Sequence, residues 1–170
     1  MIYKIRIILD ADEDIFRDIE IDASNTLEEL HNAITQAFGF LGNEMASFYT
    51  CDESWNQDEE IALFDMSDSG SDVRLMNETF LEDLLSVRNP KLIYVYDFMS
   101  MWTFFVELAD IVNKEDGRAY PNLLFTFGEV PDSPPEKNFK SDRADGEEDD
   151  DDIEEHLGNY DDLDFDENWN

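Results

Sequence analysis

The stretch Thr26-Leu27-Glu28-Glu29-Leu30-His31-Asn32-Ala33-Ile34-Thr35-Gln36-Ala37-Phe38-Gly39 spells out a helix with both of its ends. Thr26 and Glu29 have the spacing of a capping box. A hydroxyl takes one orphan N–H, and a carboxylate three residues on reaches back to another. Leu27, Leu30, Ile34, Ala37 and Phe38 recur at helical spacing and make one apolar stripe. Gly39 is a good stop, because it takes positive φ without a Cβ penalty. The spacing predicts one amphipathic helix, whose stripe has to be laid against an apolar surface.

The flanking sequence supplies that surface. Before the helix, Tyr3, Ile5, Ile7 and Leu9 alternate with Lys4, Arg6 and Ile8, the period of a strand with one buried face. Residues 10–14 are a polar turn. Ile15, Ile19 and Ile21 then alternate with Phe16, Asp18 and Glu20, which completes an antiparallel hairpin. After the helix, Phe48 to Cys51 is a candidate strand. Residues 52–72 read as a long acidic loop, broken by Ile61, Ala62, Leu63 and Phe64. Thr79 and Glu82 offer a second capping box before a short helix carrying Phe80, Leu81, Leu84 and Leu85, ended near Asn89-Pro90. Residues 92–98 and 102–112 are the strongest strand signals. Met99-Ser100-Met101 between them suits a hairpin. A last strand spans 123–127. The expected class is α+β: a mostly antiparallel sheet with a β-grasp-like start, one main helix and a short second helix on one face.

The charge divides the chain. It holds 44 acidic and 11 basic residues in 170, a net charge of −33. Residues 1–128 carry 26 acidic and 8 basic residues, and residues 129–170 carry 18 and 3. From Ala144 onward there are 14 acidic residues and no Lys or Arg. Such a block repels itself and stays solvated. The proline-rich joint at Pro131, Pro134 and Pro135 suits neither helix nor central strand. These features predict a folded domain over residues 1–140 and an acidic tail over 141–170, disordered or docked. Leu157, Tyr160, Leu163, Phe165 and Trp169 are spaced among the tail's carboxylates, an acidic-hydrophobic alternation typical of recognition segments. They are the candidate binding residues.

The same charge argues against direct binding to nucleic acid or anionic lipid, which need a Lys/Arg footprint. No window approaches the roughly 18 apolar residues of a membrane-spanning helix, and the first residues read as a strand rather than a targeting signal. With a lone thiol, Cys51, the expected location is cytoplasmic. No cofactor or metal is expected. One cysteine and two histidines cannot build a Cys- or His-rich site. The acidic loop placed with Gly70 at the sixth position of a calcium loop puts Ser67 and Ser69 third and fifth and Met76 twelfth, where carboxylates are wanted. Cys51 is followed by Asp52 and Glu53, which disfavour a thiolate. Phosphate-binding glycine loops and a GxSxG elbow are absent. The weak catalytic candidates are His31 at the border of the helix stripe, Arg17 in the second strand and Asp97 between Tyr96 and Phe98. An imidazole beside a carboxylate and a guanidinium is a general-base arrangement. The plainer expectation is a structural pair of Asp97 with Arg17 or His31.

Several of these segments together resemble one family. Tyr3 opens the first strand and Phe16-Arg17 lies in the second. Thr26-Leu27-Glu28-Glu29-Leu30-His31 opens the helix, and Ala37-Phe38-Gly39-Phe40 closes it. Tyr94-Val95-Tyr96-Asp97-Phe98 precedes Trp102, and Pro134-Pro135-Glu136 follows a strand. This pattern resembles the plasmid pRi open-reading-frame-three-like family, insertion-sequence passenger proteins of TnpR type, over residues 3–137. Departures fall at Phe16, where the family carries Trp, and at Met99-Ser100, where it carries Gly-Asp. The resemblance implies an α+β domain of unknown biochemistry carried on mobile elements. A resolvase-like serine motif and a basic DNA-binding tail are absent.

Three functions fit these residues. The first is a non-catalytic protein-interaction module, with a basic partner surface suited to the charge. The second is an acidic mimic of nucleic acid that occupies DNA-binding proteins. The third is a small enzyme built on His31, Arg17 and Asp97.

Overall fold

The computed structural model describes residues 1–65 and 73–135. All belong to the unit Met1–Pro135. The expected acidic tail, its five apolar residues, the domain boundary at 140 and most of the loop tested for calcium lie outside the described residues.

The chain forms β1 (Ile2–Leu9), β2 (Phe16–Asp22), α1 (Leu27–Phe38), β3 (Ala46–Cys51), β4 (Gln57–Ala62), β5 (Arg74–Leu75), α2 (Leu81–Leu84), β6 (Lys91–Tyr96), β7 (Trp102–Val112) and β8 (Asn122–Phe127). The strands make one sheet in the order β5-β4-β3-β6-β7-β1-β2-β8. Every neighbouring pair is antiparallel except β4 and β5. The fold is thus the mixed α+β class with one main helix. The opening hairpin lies inside the sheet, with β7 joined on one side and β8 on the other.

Alternation decides which side is core. Ile5, Ile7 and Leu9 of β1, Ile19 and Ile21 of β2, Phe104 and Val106 of β7 and Tyr94 of β6 are buried together with the α1 stripe. Leu27, Leu30 and Ile34 are fully enclosed. Each such side chain contributes about 1.5–3 kcal/mol by leaving water. The helix ends are built as their letters imply. The Glu29 N–H donates to Thr26 Oγ1 at 3.3 Å, and the Thr26 N–H donates to the Glu29 carboxylate at 2.9 Å. Gly39 adopts φ 83°.

Three local expectations are corrected. The segment read as loop holds β4, whose Gln57-Asp58-Glu59-Glu60 side chains stay exposed while the backbone pairs with β3. Within β4 only Ile61 and Ala62 are buried, so the hydrophobic pattern gave little sign of a strand. The second capping box does not form: Thr79 Oγ1 donates to the Leu75 carbonyl at 2.8 Å, and α2 starts after Phe80 without a side-chain cap. That helix is one turn long, held instead by the N–H groups of Leu81 and Glu82 on the carbonyls of Asn25 and Ala23. The strand expected over 92–98 stops at Tyr96, because Asp97 turns to φ 65°.

Candidate functional site

His31, Arg17 and Asp97 belong to three different structural settings. His31 faces the sheet from α1 and is 2% exposed. Its Nδ1 shares a 2.6 Å hydrogen bond with the Tyr94 hydroxyl, itself fully buried. Burial holds the imidazole down to about 4, so it is neutral at neutral pH. Burial likewise pushes the Tyr94 hydroxyl well above its ordinary value, with the neighbouring Tyr96 adding to it. The pair shares this hydrogen bond inside an aromatic cluster. Phe40 stacks on Tyr96 at 4.9 Å and meets Trp102 at 4.9 Å, and Phe38 meets Phe104 at 4.7 Å.

Arg17 follows the buried parity of β2, between Ile15 and Ile19. Its Nε donates to the Ala37 carbonyl at 3.1 Å, near the α1 C-terminus, where a cation complements the helix dipole. Nη1 reaches the carbonyls of Phe16 (2.9 Å), Phe127 (3.0 Å) and Gly128 (3.2 Å). The guanidinium also lies 4.8 Å from the Phe38 ring centroid. Burial lowers its pKa from the usual value. Arg17 therefore ties the end of α1 and the end of β8 to β2.

Asp97 begins the turn between β6 and β7. Its N–H donates to the Met45 carbonyl at 2.7 Å, and its own carbonyl accepts from Ser100 and Met101. Its carboxylate accepts from the Met99 N–H at 3.2 Å. This is the local turn chemistry of aspartate. The expected pairing of Asp97 with Arg17 or His31 is not made among the described residues, and no hydrogen bond joins the three. Cys51 is half-buried, and burial pushes its thiol up, with Lys91 pulling the other way. Among the described residues no three His, Cys, Asp or Glu side chains gather as a metal site. No helix of the described residues is long and apolar enough to cross a membrane.

The last strand expected from the sequence forms as β8, but its place at the edge of the sheet was not read. Among the described residues it ends the sheet, paired with β2 alone. Leu123, Leu124, Phe125 and Phe127 are 47%, 38%, 50% and 46% exposed. Phe16 stacks on Phe127 at 5.3 Å and lies 5.9 Å from Phe125, and the Arg6 guanidinium lies over the Phe16 ring, 4.1 Å from its centroid. The carboxylates of β2 beside β8 are paired within the chain. Asp18 holds Arg6 at 2.7 Å, and the buried Glu20 holds Arg118 at 2.7 Å while accepting from Asn122 at 2.6 Å. The signal available in sequence was Asn122-Leu123-Leu124-Phe125-Thr126-Phe127, six uncharged residues in a chain this acidic. Periodicity could not say that the strand would lie at an edge.

Comparison with known proteins bears on the fold and the family. A protein of unknown function, MM3350, from Methanosarcina mazei Go1 has a crystal structure similar to this one. The TM-score is 0.65 at 21% identity, over 74% of this chain and 68% of that one. The likeness shows a shared fold. No curated protein matches the chain. The pattern of the plasmid pRiA4b ORF-3-like protein family matches residues 1–169, and the chain belongs to that family.

Proposed function

We propose that this chain is a non-catalytic protein-interaction module that docks a partner strand along β8. The observation that carries the reading is the exposed, apolar and uncharged edge strand. Sheet edges are ordinarily guarded by charge, proline, brevity or bulges; β8 is uncharged and six residues long, and its register shift opposite Asp18/Ile19 is the guard it carries. Strand addition supplies main-chain hydrogen bonds, and the exposed Leu and Phe side chains supply selectivity. Each candidate catalytic residue is meanwhile committed to a structural bond. In this reading the tail's carboxylates add an attraction for basic surfaces that salt weakens, and Leu157, Tyr160, Leu163, Phe165 and Trp169 among them add apolar contacts that resist salt.

The test is a pull-down with the full chain and with Leu124→Lys, at low and high salt. The lysate comes from cells that also express the untagged chain. The expected result is a protein held by the wild type at high salt and lost from the variant. Basic DNA-binding proteins released from both baits by salt would point to nucleic-acid mimicry instead. Equal capture by both baits at high salt, or no specific capture, would remove β8 as the docking element.

A further inference from the structure

We infer that the partner strand on β8 is β8 of a second copy, so that two chains join edge to edge in one continuous sheet. The inference rests on β8 being a docking edge and adds what occupies it. Charge makes the choice. Two copies at −33 each repel, so a contact between them has to use a surface without net charge. Among the strands only β3 and β8 lack a charged residue, and β3 lies between β4 and β6. The β2 carboxylates beside β8 are each paired as well. Arg6, Lys114 and Arg118 meet Asp18, Asp22 and Glu20 on β2, at 2.7, 3.8 and 2.7 Å. Arg17 adds a buried cation behind Phe127 and Gly128. Four of the eight basic residues in 1–128 thus surround this one edge. A basic partner would find its carboxylates already taken. A like-charged copy meets an uncharged strand here, with the nearest β2 carboxylates paired and Glu129 beyond the strand's end.

The geometry suits a two-fold. A strand laid against its own copy about a two-fold axis runs antiparallel, the pairing used by nearly every neighbour in this sheet. Six residues give a ladder about 20 Å long. The four exposed side chains offer on the order of 400 Å² per copy, about half of what a standard interface takes from each partner. An interface of this size belongs to the weak, reversible class, and the two-fold uses both β8 edges, so the ladder closes there.

The test is sedimentation velocity of the purified full chain across a micromolar concentration series, at low and high salt. The expected result is a monomer–dimer equilibrium that tightens as salt rises, because screening weakens the repulsion between the copies. Leu124→Lys and, separately, Thr126→Lys should each weaken it at least tenfold. Both make the chain less negative, so greater overall repulsion cannot account for the loss. Hydrogen exchange on the wild type supplies a check that needs no variant: β8 amides should gain protection with concentration while those of β4 do not. A monomer at every concentration and salt overturns the second copy. So does a dimer that salt dissolves, or one that both variants leave intact. If the chain stays monomeric while the pull-down still captures a protein through β8, the docking edge stands and its occupant is another protein. If both experiments are blank, the docking edge falls too.

Discussion

The two ends of the sheet are built on opposite plans. At one end β5 has two residues, Arg74 and Leu75, and β4 beside it presents Asp58, Glu59 and Glu60 to solvent. Short length and dense charge leave no template for another chain. At the other end β8 is six residues long, uncharged and exposed on Leu123, Leu124, Phe125 and Phe127. The difference shows where this protein excludes contact and where it leaves contact open. Each end also has an arginine, and the two do different work. Arg74 forms an exposed ion pair with Glu59 at 3.2 Å. Arg17 is buried and spends its donors on backbone carbonyls that fix β8 from behind.

The largest effect should come from removing that buried arginine. Arg17→Met fills similar space but leaves the carbonyls of Phe16, Ala37, Phe127 and Gly128 without their donor. Orphaned buried acceptors cost about 1–3 kcal/mol each, less where the backbone relaxes toward water. The expected loss is about 3–5 kcal/mol by urea unfolding, with β8 amides losing exchange protection first. A loss below about 1 kcal/mol would mean that β8 holds its place without Arg17, and the contrast between the two arginines would disappear.

An intermediate effect belongs to the core that both ends share. Burial holds His31 at about 4 in the folded chain, against 6.5 for the free side chain. Between those values the unfolded chain takes up a proton that the folded chain refuses. Stability therefore falls as pH drops through that window, by about 2–3 kcal/mol at pH 4.5 from this group alone. The comparison that isolates it is denaturant unfolding of wild type and His31→Gln at pH 7 and pH 4.5. The wild type should lose that much more than the variant, and exchange at β4 and β8 should rise together. Parallel losses in the two proteins would show that His31 takes no part in acid sensitivity.

Much of this was legible in the letters, and what was missed has a physical reason. The α1 caps, the opening hairpin and the β6–β7 pair are local: each is written within a few residues, and each forms. β4 was missed because a strand that pairs with β3 through its backbone need not alternate in hydrophobicity. The capping box at Thr79 failed because Thr79 and the first N–H groups of α2 found partners at Leu75, Asn25 and Ala23. The candidate site divided for the same reason. His31 borders the helix stripe and Arg17 lies in the second strand, but their partners come from Tyr94 and from Phe127 and Gly128, distant in sequence. Glu20 lies on the polar parity of β2 and is nonetheless 2% exposed, because Arg118 and Asn122 cover it from another part of the chain. Which strand becomes an edge is a property of the whole topology.

The smallest effect should come from the guarded end. Arg74 and Glu59 leave 40% and 50% of their side chains in water. Salt and water screen such a pair, and ordering two long side chains offsets part of the attraction. Arg74→Ala should therefore cost less than about 0.5 kcal/mol, with the remainder vanishing at high salt. Its effect on association is the sharper reading. The substitution makes this end more acidic, so it should leave the β8-dependent equilibrium unchanged at high salt and weaken it slightly at low salt. New self-association of Arg74→Ala that Leu124→Lys does not suppress would show that Arg74 was the guard and that the β5 end is itself a latent docking edge. The contrast between the two ends would then rest on one side chain rather than on strand length and the acidic face of β4.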